Sequence, residues 1–394
     1  MRNKLFKIIF LSSLLLFLNT NKIIANESKI KVFYSGFSFA NSYFSNKDFA
    51  KYSEKIIKIK NDSSINIISA RLLSSLQDMY FDNIILETKS LISLKEYPDN
   101  AVLMSIALQH EEFTQEYNQS TNIYSGFYDA YFNILFYDFS DQSLIASIPF
   151  DFEIQMMSEE ELTQKNIVNR IKEFYLEDNP FQEIQKLINS FNVKRKYDRR
   201  IGVTNVKVNN RTFEYLPTNY IKNLEFVKNL IAQTFSKRLS KHHNVAIVPY
   251  TEGQAIGGSM KLRFVETDEI YSIKLLDPDY HINLNLLGFK KVLASSSEVN
   301  DLYLYGSFIN IKIFQPDIEK IYFEETLRGV TDIKIPKSQT EINEWRKFYY
   351  NLEILLDDFS KNILKPDKKW MKKASKNKFR KDLIGLNDVL DKVK

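Results

Sequence analysis

The sequence predicts a mixed α+β or α/β protein made of two tandem mixed-sheet modules, each with a long β-hairpin and flanking helices. Three observations lead there. The first is the stretch from Phe308 to Phe323, FINIKIFQPDIEKIYF, in which Ile309, Ile311 and Ile313 alternate with Asn310 and Lys312. That period of two is the mark of a half-buried strand. Gln315-Pro316-Asp317 then breaks the run, because proline has no N–H for a ladder and presets a turn, and apolar residues resume at Ile318, Ile321 and Phe323. The second is a hairpin of the same cast upstream, FNILFYDFSDQSLIA from Phe132 to Ala146. Sliding one copy by 177 residues (309 − 132) sets Asn133 on Asn310, Ile134 on Ile311, Phe136 on Ile313 and Leu144 on Ile321. The third is that a strand and a helix precede each hairpin and helical spacing follows it.

The chain has 394 residues, enough for two or three domains, and 44% hydrophobic with 26% charged residues suits a soluble globular protein. Aromatics reach 14%, but Lys, Asn and Ile are frequent too. An AT-rich codon bias produces that combination, so the excess carries little functional weight. The net charge of +5 is unevenly spread. Arg2, Lys4, Lys7 and Lys22 supply +4, and Lys365 to Lys381, with nine bases against Asp367, supply +8, which leaves the body near −7. A mildly acidic body with a basic end is not a general nucleic-acid binder.

Residues 1–25 have the parts of a secretory signal peptide: Arg2, Lys4 and Lys7, an apolar run from Ile8 to Leu18, and Ile23-Ile24-Ala25 before a cleavage site. The run is about half of the ~20 residues a membrane span needs, so a cleaved signal and no transmembrane segment in the mature chain are expected. There is no cysteine, hence no disulfide and no thiol for lipid attachment. The expected location is periplasmic.

Lys29 to Phe39 reads as a first strand, Ile65 to Met79 as a helix, and Val102 to Tyr117 as a long strand before the first hairpin. Thr163 to Phe191 has helical spacing interrupted at Asn179-Pro180. The basic stretch from Lys194 to Arg200 is the expected boundary between a first module (29–193) and a second (201–364). In the second, Ile201 to Val208 is a strand, Leu224 to Leu239 an amphipathic helix, and Val245 to Val248 an apolar run fitting a buried central strand. Further strands fall around 261–265, 271–275 and 281–292. Glu341 to Leu364 closes the module as a helix with a wide apolar stripe. Residues 365–394 form a basic tail with a short amphipathic helix.

This order of strand, helix, VAIVPY strand, hairpin and closing helix, over residues 29–364, resembles the N-terminal domain of the Tol-system translocation protein. It is similar also to the curli-secretion lipoprotein, the middle domain of flagellar assembly protein T, and uncharacterised families of exported bacterial proteins. The resemblance implies an envelope accessory protein that works by contact, without catalysis.

Candidate sites are few. Gly253, Gln254, Gly257, Gly258 and Ser259 follow the Val245–Tyr250 strand, where α/β proteins often bind anions. Gly253 to Gly258 has phosphate-loop spacing, but Ser259 stands where the lysine belongs and a strand-like KLRF follows instead of a helix. The loop reads first as a turn and in the alternative as a ligand-binding loop. Asp279 and His281 share one strand face and are the candidate metal pair, although Asp277-Pro278-Asp279 is also ordinary turn chemistry. Adjacent His242 and His243 diverge on a helix and do not chelate one metal. Glu159-Glu160-Glu161 and Asp357-Asp358 read as helix-start and solvated-face charges. In the tail, Lys368, Lys369, Trp370, Lys372 and Lys373 set an aromatic among bases, the composition of an anionic-surface contact; a solubilising end is the alternative.

The expectation is therefore an exported, non-enzymatic accessory protein binding an envelope protein or an anionic envelope polymer, with peripheral membrane contact through the tail. No catalytic residue, cofactor or specific nucleic-acid partner is expected. The alternatives are a small-ligand or metal binder using residues 251–259, and a hydrolase whose site the sequence does not reveal.

Overall fold

A computed structural model of the protein describes residues 29–40, 42–88, 98, 100–251, 258–377 and 379–394. The leader, and Gly253, Gln254 and Gly257, lie outside the described residues. The fold is mixed α+β with two mixed sheets, as its hairpins and helical stripes predict.

The first sheet is built from β1 (Ile30–Ala40), β2 (Ile84–Glu87), β3 (Val102–Asn118), β4 (Ile123–Asp138) and β5 (Leu144–Ser158). Helix α1 (Ser53–Ile56) and α2 (Ile67–Gln77) lie between β1 and β2, and α3 (Gln164–Glu173) and α4 (Glu183–Ser190) follow β5. Asn66 caps α2 by accepting from the Ser69 N–H, and Ile68, Leu72 and Leu76 are its buried stripe. Between α3 and α4, Asn179 takes a left-handed backbone (φ 45°) ahead of Pro180, the interruption expected there.

The second sheet comprises β6 (Ile201–Val208), β7 (Ile247–Val248), β10 (Tyr280–Ser296), β11 (Asn300–Gln315) and β12 (Lys320–Pro336). Helix α5 (Leu224–His243) joins β6 to β7, and α6 (Glu344–Leu364) follows the short strand β13 (Gln339–Glu341). The two sheets repeat one topology. The first runs β5-β4-β3-β1 with β2 parallel on β1, and the second β12-β11-β10-β6-β7 with the same parallel and antiparallel pairings. Even the irregularities repeat. The β1–β3 register shifts between Tyr34 and Gly36, and the β6–β10 register at Ile282 and Asn283, where Thr204 is the extra residue. The β3–β4 ladder skips Gln109, and the β10–β11 ladder skips Leu287. Bulges are positional features of a backbone, so their recurrence marks corresponding positions in the two halves. At the β1 bulge Gly36 has φ 119°, a conformation that suits glycine.

Two parts depart from the sequence expectation. Strands β8 (Ser259–Phe264) and β9 (Ile270–Lys274), expected inside the second module, cross to the first sheet, where β8 pairs antiparallel with β1 through Ser38, Phe39 and Ala40. The reason is apolar cover: Met260, Leu262 and Phe264 bury against Leu103, Ala107, Leu135 and Tyr137 of that sheet. Val245 and Ile247 are buried and Ala246 and Val248 half-buried, but β7 is a two-residue edge strand and not a central one; Pro249 follows and cannot donate to the ladder.

Residues 365–394 are folded against the second core. Helices α7 (Lys368–Ala374) and α8 (Arg380–Asp391) bury Met371, Ala374, Phe379, Leu383, Leu386 and Leu390 in it. Helices α5 and α6 lie between the sheets. Their apolar stripes face Ile282, Leu284, Ile309 and Ile311 of the second sheet. Their other sides reach the first, where Gln233 donates to the Phe132 carbonyl and Arg346 meets Asp129 at 2.7 Å.

Candidate binding cleft

A cleft of about 810 Å³ opens where the modules meet. Its walls are Lys291 and Leu293 of β10, Tyr303 of β11, Tyr215 and Pro217 of the connection to α5, Gln115 of β3, and Glu344 and Trp345 at the start of α6. The long ribbon of β10 and β11 carries Lys291 and Tyr303 beyond the helix layer. Asn343 starts α6 by accepting from the Arg346 N–H, which sets Glu344 and Trp345 on the cleft floor. Glu116, buried on β3, ties that corner down: it accepts from Gln339 Nε2 at 2.8 Å and the Asn343 N–H at 3.2 Å, and pairs with Lys347 at 2.8 Å.

Lys291 is matched inside the cleft, which exposed Glu214 and Glu341 also line. Lys291 Nζ is 2.5 Å from Glu344 Oε1 and 4.1 Å from the centre of the Tyr303 ring. Tyr215 packs on Phe348 at 4.5 Å, and Trp345 stacks on Tyr349 at 5.4 Å. Burial, with Glu344 beside it, pushes the Tyr305 hydroxyl far above its ordinary value. Rigid aromatic walls, one internally neutralised ion pair and a broad open mouth make a recognition surface.

The histidines are engaged elsewhere. His110 is buried, stacked on Tyr131 at 4.3 Å and edge-on to Phe226, and burial pulls it down to about 3. Burial likewise takes His243 down to about 4; its Nε2 is 2.9 Å from the Ser360 carbonyl. His242 pairs with Asp357 at 2.8 Å. The residue pairs expected from sequence are placed as follows. Asp279 accepts from Arg199 at 2.5 Å and from the Arg200 N–H at 2.8 Å, while the His281 ring lies 5.4 Å from Phe314 on the sheet face. Among the described residues no group of three metal-ligating side chains converges. Gly258 is held through its carbonyl by the Leu275 N–H at 2.7 Å, and exposed Ser259 begins β8, beside a hollow of about 50 Å³ lined by Thr204, Pro249 and Pro278. Lys368, Lys369, Lys372 and Lys373 are exposed on α7, and Trp370 is half-buried, edge-on to Phe379 at 5.9 Å.

Sequence reasoning missed Tyr215, Lys291, Tyr303 and Glu344. Only the Asn343 cap left a local signal; the rest converge through β10–β11 register and the docking of α6, which no spacing encodes.

No protein-family model matches the chain, and no curated protein matches it. Among solved structures, a DUF330 protein from Xanthomonas campestris is 16% identical, over 23% of this chain and 46% of that one, with TM-score 0.15. A neuraminyllactose-binding hemagglutinin homolog from Helicobacter pylori is 11% identical over 45% and 90%, with TM-score 0.22. A minor lipoprotein from Acinetobacter baumannii is 11% identical over 43% and 94%, with TM-score 0.19. Among the described residues no helix is long and apolar enough to cross a membrane.

Proposed function

We propose that this chain is an exported accessory protein of the cell envelope that acts by binding a partner protein, without catalysis. The observation that carries the reading is the cleft of about 810 Å³, with Tyr215, Tyr303 and Trp345 on its walls and Lys291 neutralised by Glu344. Aromatic side chains held by packing give contact area at small entropic cost, which suits a protein segment. Export rests on the leader at residues 1–25. A ligand site at Gly258 and Ser259 has less behind it, since the hollow beside them is about 50 Å³, far below the roughly 300–1,000 Å³ of small-molecule sites.

The test is a photo-crosslinking amino acid at Leu293, on the cleft wall, and at Met157, exposed on β5. In native envelope, Leu293 yields a discrete adduct that Lys291→Ala with Tyr303→Ala abolishes while the melting temperature holds. The same adduct from both positions, or none from Leu293, counts against the reading.

A further inference from the structure

Helix α7 and the first turn of α8 carry a one-sided charge, while exposed Asp388 and Asp391 lie farther along α8. Lys368, Lys369, Lys372, Lys373, Lys376, Arg380 and Lys381 are all exposed, and among the described residues none of the seven is in an ion pair. Several bases elsewhere are engaged: Lys237 with Asp151, Arg238 with Glu353, Lys291 with Glu344, Arg346 with Asp129 and Lys347 with Glu116. The acids nearest in sequence are Asp367, which caps α7 by accepting from the Lys369 N–H, and exposed Asp382. Docking fixes the direction of the cations. Met371, Ala374, Leu383, Leu386 and Leu390 face the core, so the bases of α7 and of the start of α8 face water. The Trp370 ring is turned in against Phe379.

We propose that α7, Lys376 and the first turn of α8 form a basic cap that docks the protein on an anionic lipid bilayer through headgroup contacts, with Trp370 remaining in the protein. This inference is independent of the cleft. Charge complementarity selects the occupant, and the acidic remainder of the chain, near −7, orients the molecule cap-first. Leu364 and Ile384, 53% and 51% exposed at the ends of α6 and within α8, favour a bilayer interface over a soluble polyanion, which offers them nothing apolar.

Vesicle flotation of the processed chain tests it, using phosphatidylcholine with and without phosphatidylglycerol. Binding is expected only with the anionic lipid, and is reversed as salt approaches 1 M, where the Debye length falls to about 3 Å. At about fivefold per lysine, replacing Lys368, Lys369, Lys372 and Lys373 with Gln weakens binding at least about a hundredfold and leaves the melting temperature unchanged. Brominated lipids leave tryptophan fluorescence unquenched, since both tryptophans, Trp345 and Trp370, stay packed. Equal binding to pure phosphatidylcholine overturns the proposal. So does salt-resistant binding, strong quenching, or capture of a soluble polyanion without vesicle binding. The salt titration of the unaltered protein decides the matter even where the fourfold variant fails to fold.

Discussion

Glu111 is buried under the first sheet, yet its carboxylate accepts from the Tyr52 N–H, the Ser53 N–H and hydroxyl, and the Tyr128 hydroxyl. It fixes the start of α1, and burial raises its pKa against those hydrogen bonds. Glu111→Ala strands these donors in the interior and is expected to cost about 3 kcal/mol in chemical denaturation; Glu111→Gln keeps acceptors in place and costs less. Next to it, His110 gives the stability a pH dependence. An unfolded histidine titrates near 6.5, whereas burial holds His110 to about 3 and His243 to about 4. As pH falls below 6.5 the unfolded chain takes up these protons first, so stability declines from there downward. Asp129 acts in the opposite sense: burial raises it to about 7 against the pull of Arg346. Its contribution is full below the ordinary carboxylate value of 3.8 and fades as pH rises through 7. Denaturation across pH should show His110→Phe flattening the acid limb and Asp129→Asn flattening the limb between them.

Among the elements, α8 shows how far the ends belong to the fold. Leu386 and Leu390 are fully buried with Leu383 in the core that α6 and β12 share, so Leu386→Ala is expected to cost about 2–5 kcal/mol, read from the denaturation midpoint. An end that was merely solubilising would leave the midpoint unmoved. The close approach of β12 to α6 has a matching signature at Gly329, where an added Cβ would stand 3.0 Å from Leu355 Cβ. Gly329→Val should lower stability by about 1–3 kcal/mol through that overlap, visible as a reduced melting temperature.

At the scale of the molecule, two equal topologies are joined through a charged and aromatic layer. Arg346 lies over the Phe127 ring at 4.1 Å and between Asp129 and Glu153, Lys237 meets Asp151, and the Tyr131 and Tyr349 hydroxyls are 3.2 Å apart. With β8 paired onto β1 as well, the first sheet is not complete without strands from the second half of the chain. Calorimetry should therefore record one transition. Two well-separated transitions would mean independent modules. Arg346→Ala leaves Asp129 and Glu153 without their shared cation and should lower that single transition by about 3 kcal/mol.

Short-range pattern alone carried the repeat. Alternation at Ile309, Ile311 and Ile313, the break at Pro316 and the superposition of Asn133 on Asn310 are local properties, and β4 and β11 (Ile123–Asp138 and Asn300–Gln315) fall on the same offset. Helix stripes and the Asn179-Pro180 interruption were legible for the same reason. Tertiary structure decided the crossing of β8, the edge position of β7, the inward turn of Trp370 and the meeting of Tyr215, Lys291, Tyr303 and Glu344 in one cleft. An apolar alternation states that a strand has a face to bury, and only the assembled chain determines which surface receives it.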